Sequence, residues 1–544
     1  MLAPEEAYQL LTSRRPPVGT GEQEQARLLA EDLGRHALAL DVTASALQNS
    51  VAAKPFAGFR AKLAKPDKDA LKLAEALSDA LPNGHEKSIA QTMLRSIQSL
   101  GPEGMDFLRL ASVLAVAPIP ASLVTAVFKN ADKLNDEDAE LRASLALKQV
   151  TAASLAERAG EKQDSPVVHT LVSRTVRFQD KSKPGRTEAL REAAVKALWA
   201  AIAKVAEDPR IRGESELFAT HARQLVTNTA TLNEANLLGW LGIYDNVRGS
   251  YTSARALRQR DLEFRIQAQG EEHPDTLTAR SNLALTLKAQ GDLAGARQHE
   301  EQVLAARRQM QGEEHPHTLT ARLNLAETLW AQGDLASARQ HQEQVLAARR
   351  RLLGEEHPDT LTARSNLAVT LHTQGDLAGA RLLREQVLVA WRRLLGEEHP
   401  HTLTARSNLA ATLYAQGDLA GAQQQQEETL AVRRRVLGPE HPDTLLSMSH
   451  VAATLIAQKE LASARKLLQE TLAMQRRTLG SSHRDTTRSA RNLAQTLLNL
   501  GESAAAREIL DGDLRWLLDR DPTTLGAEQR NDREWVAGVV KESG

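Results

Sequence analysis

The sequence predicts an all-α protein whose C-terminal half is an α-solenoid of helix pairs, preceded by a helical region without repeats. Three observations predict it. A string that reads GEEHPDTLTARSNLA from Gly270 returns at Gly312, Gly354, Gly396, Gly438 and Gly480, always 42 residues on. Within each copy the apolar residues Leu277, Leu283, Ala284 and Leu287, or their equivalents, recur at helical spacing. Aromatic residues make up only 3% of the 544, so Leu, Ala and Val must build the core, which suits closely packed helices better than sheets.

Each unit reads as two helices. Pro274 stands where a first helical turn needs no N–H. Gly291 breaks the chain, and the Asp292 carboxylate can accept the free N–H groups that open a second helix. That helix carries Leu293, Ala296, Val303 and Leu304 and ends in Arg307-Arg308, whose charges suit the negative end of the helix dipole. Gly312 then supplies the left-handed residue of a C-terminal cap. A degenerate copy, Arg248 to Arg255, sits 42 residues before Gln290 to Arg297, so about seven units cover roughly residues 228–515. One helix pair cannot bury its own apolar face, so the units must stack.

These residues resemble a known family. The Asn-Leu-Ala triplet, with Gly nine and Ala fourteen residues after the Asn, resembles the tetratricopeptide repeat. The 42-residue period with LGxxHPxTL between units resembles its kinesin-light-chain subtype. The last units depart from the pattern: His450 replaces the Asn, Lys459 the turn Gly, and Arg484 the Pro.

Comparison of the units with one another singles out one helix face. Its Asn column is Asn282, Asn324, Asn366, Asn408 and Asn492. Six residues further on stand Lys288, Trp330, His372, Tyr414, Ile456 and Leu498, and midway stand Leu285, Glu327, Val369, Ala411, Ala453 and Gln495. Spacings of three keep these columns on one face. The family resemblance implies that this face lines a concave groove. Asn amides can pair with an extended peptide backbone, and the variable columns, with Trp330 and Tyr414, would select side chains. In the alternative reading the Asn side chains tether neighbouring repeats. The histidines His273, His315, His357, His399, His441 and His483 come one per unit, a spacing that fits loop structure better than metal ligation. Glu271-Glu272 and its copies accompany the Arg pairs, so local ion pairing is expected rather than a nucleic-acid stripe.

Ahead of the repeats, helical patterning is expected over Glu22 to Leu47, Asp69 to Leu81, His85 to Leu100, Glu103 to Ala115 and Ala121 to Lys129. Val167 to Phe178 reads as a short strand, a wing or a helix. PEEAYQLL and LAEDLGRHALALDVTASAL resemble the segment after the nucleotide sensor of STAND (NB-ARC-type) NTPases. The stretch from Leu81 to Val124 is similar to that family's winged-helix domain, and SPVVHTLVSRTVR to its end. The resemblance implies that His169 could stand near nucleotide phosphates if a P-loop protein supplied the nucleotide. The expected organisation is a helical domain over 1–60, a winged-helix-like domain and linker over 61–205, the solenoid over 206–518 and a C-terminal tail over 519–544.

Several classes of chemistry have no basis in the sequence. There is no cysteine, hence no disulfide, thiolate nucleophile or Cys-based zinc site. No GxxxxGK[ST], GxGxxG or GxSxG occurs, and His85-Glu86 and His299-Glu300 lack the second His of a zinc protease helix. No catalytic residue, cofactor or metal is expected. A net charge of −1 gives no reason to expect nucleic acid or an anionic membrane as partner. Leu110 to Phe128 is free of charge but contains Pro118 and Pro120, so two buried helices joined by a turn are expected there. MLAPEEAYQLL lacks a basic start and apolar run, and a cytoplasmic location is expected. The function expected is that of a protein-interaction scaffold or sensor that binds a protein or peptide in the groove. Two alternatives stay open: the sensor half of a split STAND switch acting with a P-loop NTPase in trans, and a winged-helix transcription regulator.

Overall fold

The protein is described by a computed structural model covering residues 2–48, 50, 54–64, 68–76, 85–159, 165–180, 185–207, 215–522 and 527–542. Two compact units emerge, Met1–His299 and Glu300–Gly544. The helices just before the repeats share one apolar core with the first repeat helices.

Unit 1 begins with α1 (Pro4–Thr12), α2 (Gly19–Asp32), α3 (Ala37–Gln48), α4 (Pro55–Leu63), α5 (Lys68–Ala76) and α6 (Glu86–Gln98). The single helix expected over Glu22 to Leu47 is two helices. Gly34 and Arg35 take consecutive left-handed conformations, φ +62° and +51°, which a right-handed helix cannot absorb. Of the helix expected over Asp69 to Leu81, the described part ends at Ala76, and the remainder lies outside the described residues.

Next come α7 (Pro102–Val113), α8 (Ala121–Asp132) and α9 (Asp136–Ala152), then an antiparallel hairpin of β1 (Glu157–Ala159) and β2 (Ser165–Val167), and α10 (Thr170–Asp180). The uncertain stretch from Val167 is thus both things in turn, the end of a strand and then a helix. The uncharged run from Leu110 forms two helices with Pro118 and Pro120 between them, and no helix among the described residues is long and apolar enough to cross a membrane.

A charged network locks these helices to α11 (Gly185–Glu207). Buried Asp106 accepts from Arg109 at 3.2 Å, Arg142 at 2.8 Å and Arg186 at 2.6 Å. Asp132 accepts from Arg142 and Arg186 at 2.6 and 2.8 Å, and Asp180 from Arg109 at 3.0 Å. Such multiply bonded carboxylate–guanidinium clusters offset the cost of removing the charges from water. The bonds from Asp106 and Asp132 push the Arg186 pKa further up.

Unit 1 continues with α12 (Ser215–Leu225), α13 (Leu232–Val247), α14 (Tyr251–Gln269), α15 (Pro274–Ala289) and α16 (Leu293–Gln311), inside which the division falls. The α13 span lies 42 residues before that of α15. Unit 2 holds α17 (Pro316–Ala331), α18 (Leu335–Leu353), α19 (Pro358–Gln374), α20 (Leu377–Leu395), α21 (Pro400–Ala415), α22 (Leu419–Val436), α23 (Pro442–Ala457), α24 (Leu461–Thr478) and α25 (Arg484–Asn499). It ends with α26 (Ser503–Ile509), a π-helical turn over Leu510–Leu514, α27 (Arg515–Asp519) and α28 (Ala527–Glu542).

The junctions between units show why the period holds. His273, His315, His357, His399, His441 and His483 each accept, through Nδ1, the backbone N–H two residues on, at 3.2 Å. Each is the N-cap of a first helix, so the loop role expected of these histidines is specific: they satisfy an otherwise orphaned donor. The expected carboxylate caps also form, with Asp292, Asp376 and Asp418 accepting from Gly295, Gly379 and Gly421 at 3.0, 2.9 and 3.0 Å. Tiny side chains fill the contact between the two helices of each pair, where Ala284, Ala326, Ala368, Ala410, Ala452 and Ala494 are all fully buried.

The segment expected to be a C-terminal tail contains a docked helix instead. Val536 of α28 is fully buried 42 residues after Ala494, Asp532 pairs with Arg491 at 3.0 Å, and the Trp535 indole donates to Gln495 at 3.2 Å. This helix stands where the first helix of another unit would begin, and it covers the apolar face that α25 would otherwise expose.

Two predictions follow from these local states. Lys459 holds φ +67° at the turn where Gly333, Gly375 and Gly417 hold +82° to +87°. The left-handed conformation costs a side-chain-bearing residue about 1 kcal/mol, so Lys459→Gly should stabilise unit 2 by about that much in urea unfolding. The second concerns His221, which is fully buried and whose Nε2 lies 2.9 Å from the Pro118 carbonyl. Burial lowers its pKa from the ordinary 6.5, with the Pro118 carbonyl opposing. A depressed pKa means that the unfolded chain binds the proton more readily, so stability is full above about pH 6.5 and falls as the pH drops toward the depressed value. The unfolding midpoint of the wild type should therefore decline between pH 7 and 5, and His221→Gln should make that decline shallower.

Candidate functional site: the Asn face of the first helices

In unit 2 the face is built by α17, α19, α21, α23 and α25. Leu325, Ala326 and Leu329 of α17, and their equivalents, turn to the core, while Asn324, Glu327 and Trp330 fall on the opposite side of the same turns. Trp330, Val369 and Tyr414 are exposed large side chains, and Glu327 is exposed beside them. Apolar groups left in water this regularly, one per helix, differ from scattered surface residues.

The Asn column is accessible and chemically idle. No side-chain hydrogen bond forms at Asn282, Asn324, Asn366, Asn408 or Asn492 among the described residues, and none of these amides is sealed from solvent. The tethering expected as the alternative is done by other groups. In unit 1 Arg258 of α14 donates to the Asn282 carbonyl and to Thr286 Oγ1. In unit 2 Arg384 of α20 donates to the Asn408 carbonyl, at 2.5 Å, and to Thr412 Oγ1. Thr454 donates to Gln426 Oε1 of α22 at 2.8 Å. Arg258, Glu300, Gln342, Arg384 and Gln426, 42 residues apart, are buried polar residues of the second helices that sequence reading missed. Their only signal was the 42-residue spacing, because the flanking residues are themselves polar, as in Gln425-Gln426-Glu427. Burial lowers the pKa of Arg258 to about 10 and also lowers that of Arg384.

The variable columns differ in chemistry from helix to helix. The Trp330 indole donates to Thr373 Oγ1 of α19 at 3.2 Å, which fixes the ring across two helices. His372 is half-buried, and burial, followed by the charge of Arg384, lowers its pKa, so its imidazole is neutral at pH 7. Tyr414 is 41% exposed and its hydroxyl makes no hydrogen bond among the described residues. On α25 the face is closed: Gln495 bonds Trp535 and Asn499, so Asn492 stands next to an occupied position. Asn282 and half-buried Lys288 belong to α15 of unit 1, where Asn282 lines a cavity with Trp240.

The remaining candidate, His169, is exposed, and its Nδ1 accepts the Leu171 N–H at 3.1 Å, capping α10. No group of three or more His, Asp or Glu side chains gathers to hold a metal ion among the described residues. The Arg pairs form a ladder with the acidic loops. Arg351 pairs with Glu314, Arg393 with Glu356, Arg435 with Glu398 at 2.6 Å and Arg477 with Glu440 at 2.7 Å.

Comparisons with known proteins agree with this architecture. Residues 402–443 match one tetratricopeptide repeat family model, and residues 233–309, 317–388 and 443–511 match a second. The repeat region of the chain belongs to the tetratricopeptide repeat family. No curated protein matches the chain. Among solved structures it is similar to the nearly identical kinesin-light-chain-type repeats of Podosopora anserina, with 31% identity over 38% of this chain and 98% of that one, TM-score 0.36. It is also similar to a signal transduction ATPase with numerous domains from Pyrococcus horikoshii that carries a tetratricopeptide repeat sensor. There the identity is 15% over 95% of this chain and 73% of that one, TM-score 0.42. A third is the apo quorum sensor NprR of B. thuringiensis, with 13% identity over 61% and 94%, TM-score 0.44.

The idle amides give a test that separates ligand contact from tethering. Asn366→Ala and Asn408→Ala should each change the unfolding free energy by less than about 0.5 kcal/mol, the range of ordinary surface substitutions. A loss above about 1 kcal/mol would mean that the amides hold the repeats together.

Proposed function

We propose that the chain is a non-catalytic interaction protein, a scaffold or sensor, that holds an extended segment of a protein or peptide on the Asn face of α17, α19 and α21. One observation carries the reading: successive helices present accessible Asn amides with no internal partner, flanked by the exposed side chains of Trp330, Val369 and Tyr414. An amide offers one acceptor and two donors, the complement of an extended backbone. The neighbouring rings supply apolar area at low entropic cost, which is how interface hot spots form. His372, neutral at pH 7, would add a pH-insensitive polar contact above that value. The sensor half of a split STAND switch remains a narrower version of the same reading, supported by the residues in the N-terminal region that resemble that family. DNA readout is disfavoured by charge. The helix that precedes the hairpin, α9, opens with exposed Asp136, Glu137 and Asp138, which would repel phosphates.

Selection of displayed random peptides on the full chain tests this reading. Peptides recovered on the wild type should bind at least tenfold more weakly to a variant with Asn324→Ala, Trp330→Ala, Asn366→Ala and Tyr414→Ala, at unchanged helical circular dichroism. Equal binding to both proteins would remove the Asn face as the site.

A further inference from the structure

Unit 1 contains a cavity that the peptide reading leaves unused. It has a volume of about 390 Å³ and lies between α11, α13, α14 and α15, with Trp199, Trp240, Asn236, Asp261, Arg265 and Asn282 among its lining residues. The volume is in the range of ligand sites. Two indoles on the wall of one small cavity are notable in a chain with only six tryptophans.

The buried carboxylate in this cavity is half used. Asp261 is 4% exposed, and its Oδ1 accepts from Arg265 Nε at 2.6 Å. Its Oδ2 accepts no hydrogen bond among the described residues, although the side chain lines the cavity. A methyl group at Gly239, which lines the same cavity, would sit 3.3 Å from this oxygen, so glycine leaves the approach to it open. Arg265 spends two of its five N–H groups on Asp261 and Asn236. Nη2 bonds Asn236 Oδ1 at 2.7 Å, and Nη1 lies 3.8 Å from Asp275 Oδ2. Arg258, the other nearby cation, turns its guanidinium to the Asn282 carbonyl and Thr286 and does not line the cavity. Among the lining residues two carboxylates, Asp261 and Asp275, therefore face one guanidinium.

An apolar occupant would leave Oδ2 buried and unpaired, at a cost of about 1–3 kcal/mol. An anion would lie against two carboxylates, Asp261 and Asp275, with only the one guanidinium of Arg265 to offset them. A donor with positive charge satisfies the carboxylate and can lie against the indole faces, an arrangement worth about 0.5–2 kcal/mol for each well-placed ring. We propose that this cavity binds the arginine side chain of a partner polypeptide, with Asp261 Oδ2 accepting from its guanidinium between Trp199 and Trp240.

The experiment is a tryptophan-fluorescence titration of the full chain with N-acetyl-arginine methylamide, with the lysine, glutamine and glutamate analogues in parallel. The arginine probe should bind saturably and at least tenfold more tightly than the glutamine probe, with lysine between them. Asp261→Asn keeps the shape and a bond to Arg265, and should erase that preference. Trp199→Ala removes a partly exposed ring with little effect on folding, and should weaken arginine binding severalfold. Should Asp261→Asn fail to fold, the Trp199→Ala arm decides. Absence of saturable binding, equal binding of arginine and glutamine probes, or an unchanged preference in either folded variant would overturn the proposal. None of these residues lies on α17, α19 or α21, so the result is independent of the peptide-selection experiment.

Discussion

The junction between one helix pair and the next is the constraint on which the repeats depend. A chain that reverses direction twice in 42 residues must satisfy orphaned N–H and C=O groups at every reversal. Here the answer is local each time. A histidine Nδ1 caps one helix, an aspartate caps the other, and a left-handed glycine closes the turn between them. The loop that joins two units adds its own ion pairs, such as Arg350 with Glu355 at 2.6 Å. On α17, α19 and α21 the Asn and the residues three and six positions beyond it lie outside the turns and the Ala–Leu seam. They are where one helix can differ from the next without disturbing the stack, and a binding surface can be written there.

Much of this was legible because the period repeats the same physics. Pro274 and its copies, the turn glycines and the Ala seam each report one local requirement, and six copies remove ambiguity. Legibility failed where partners are distant in the chain. Asp106 meets Arg186 across 80 residues, and no periodicity announces the pair. The helix over Ala527–Glu542 keeps the apolar spacing of a first helix, with Trp535, Val536 and Val539 at the expected steps, but lacks the Asn-Leu-Ala string, so it read as a tail. The cap that His169 makes on α10 was not legible either, because the residue drew notice only through a resemblance of its sequence context to a family motif. The Asn column was found by its regularity. Its accessibility and the rival claim of Arg384 on the neighbouring carbonyl needed coordinates.

The two regions use charge in opposite ways. In the N-terminal helices Asp106, Asp132 and Asp180 draw three arginines into one network that fixes five helices. Along the repeats the ion pairs are mostly exposed and short-range, of the kind worth about 0–1 kcal/mol each. Their regular spacing uses up the positive charges of the Arg pairs, so under the proposed function the contacts fall to amides and rings on the other columns.

The most direct test of the account is site-specific photo-crosslinking from the Asn face. A benzophenone amino acid placed at Val369, between Asn366 and His372, would be irradiated in the presence of a selected peptide. The same probe would be placed at Leu382 of α20, an exposed position on a second helix. The account predicts efficient crosslinking from position 369, abolished by Asn366→Ala with Asn408→Ala, and little from position 382. Crosslinks of equal yield from the two positions, or a yield at 369 untouched by loss of the amides, would contradict it.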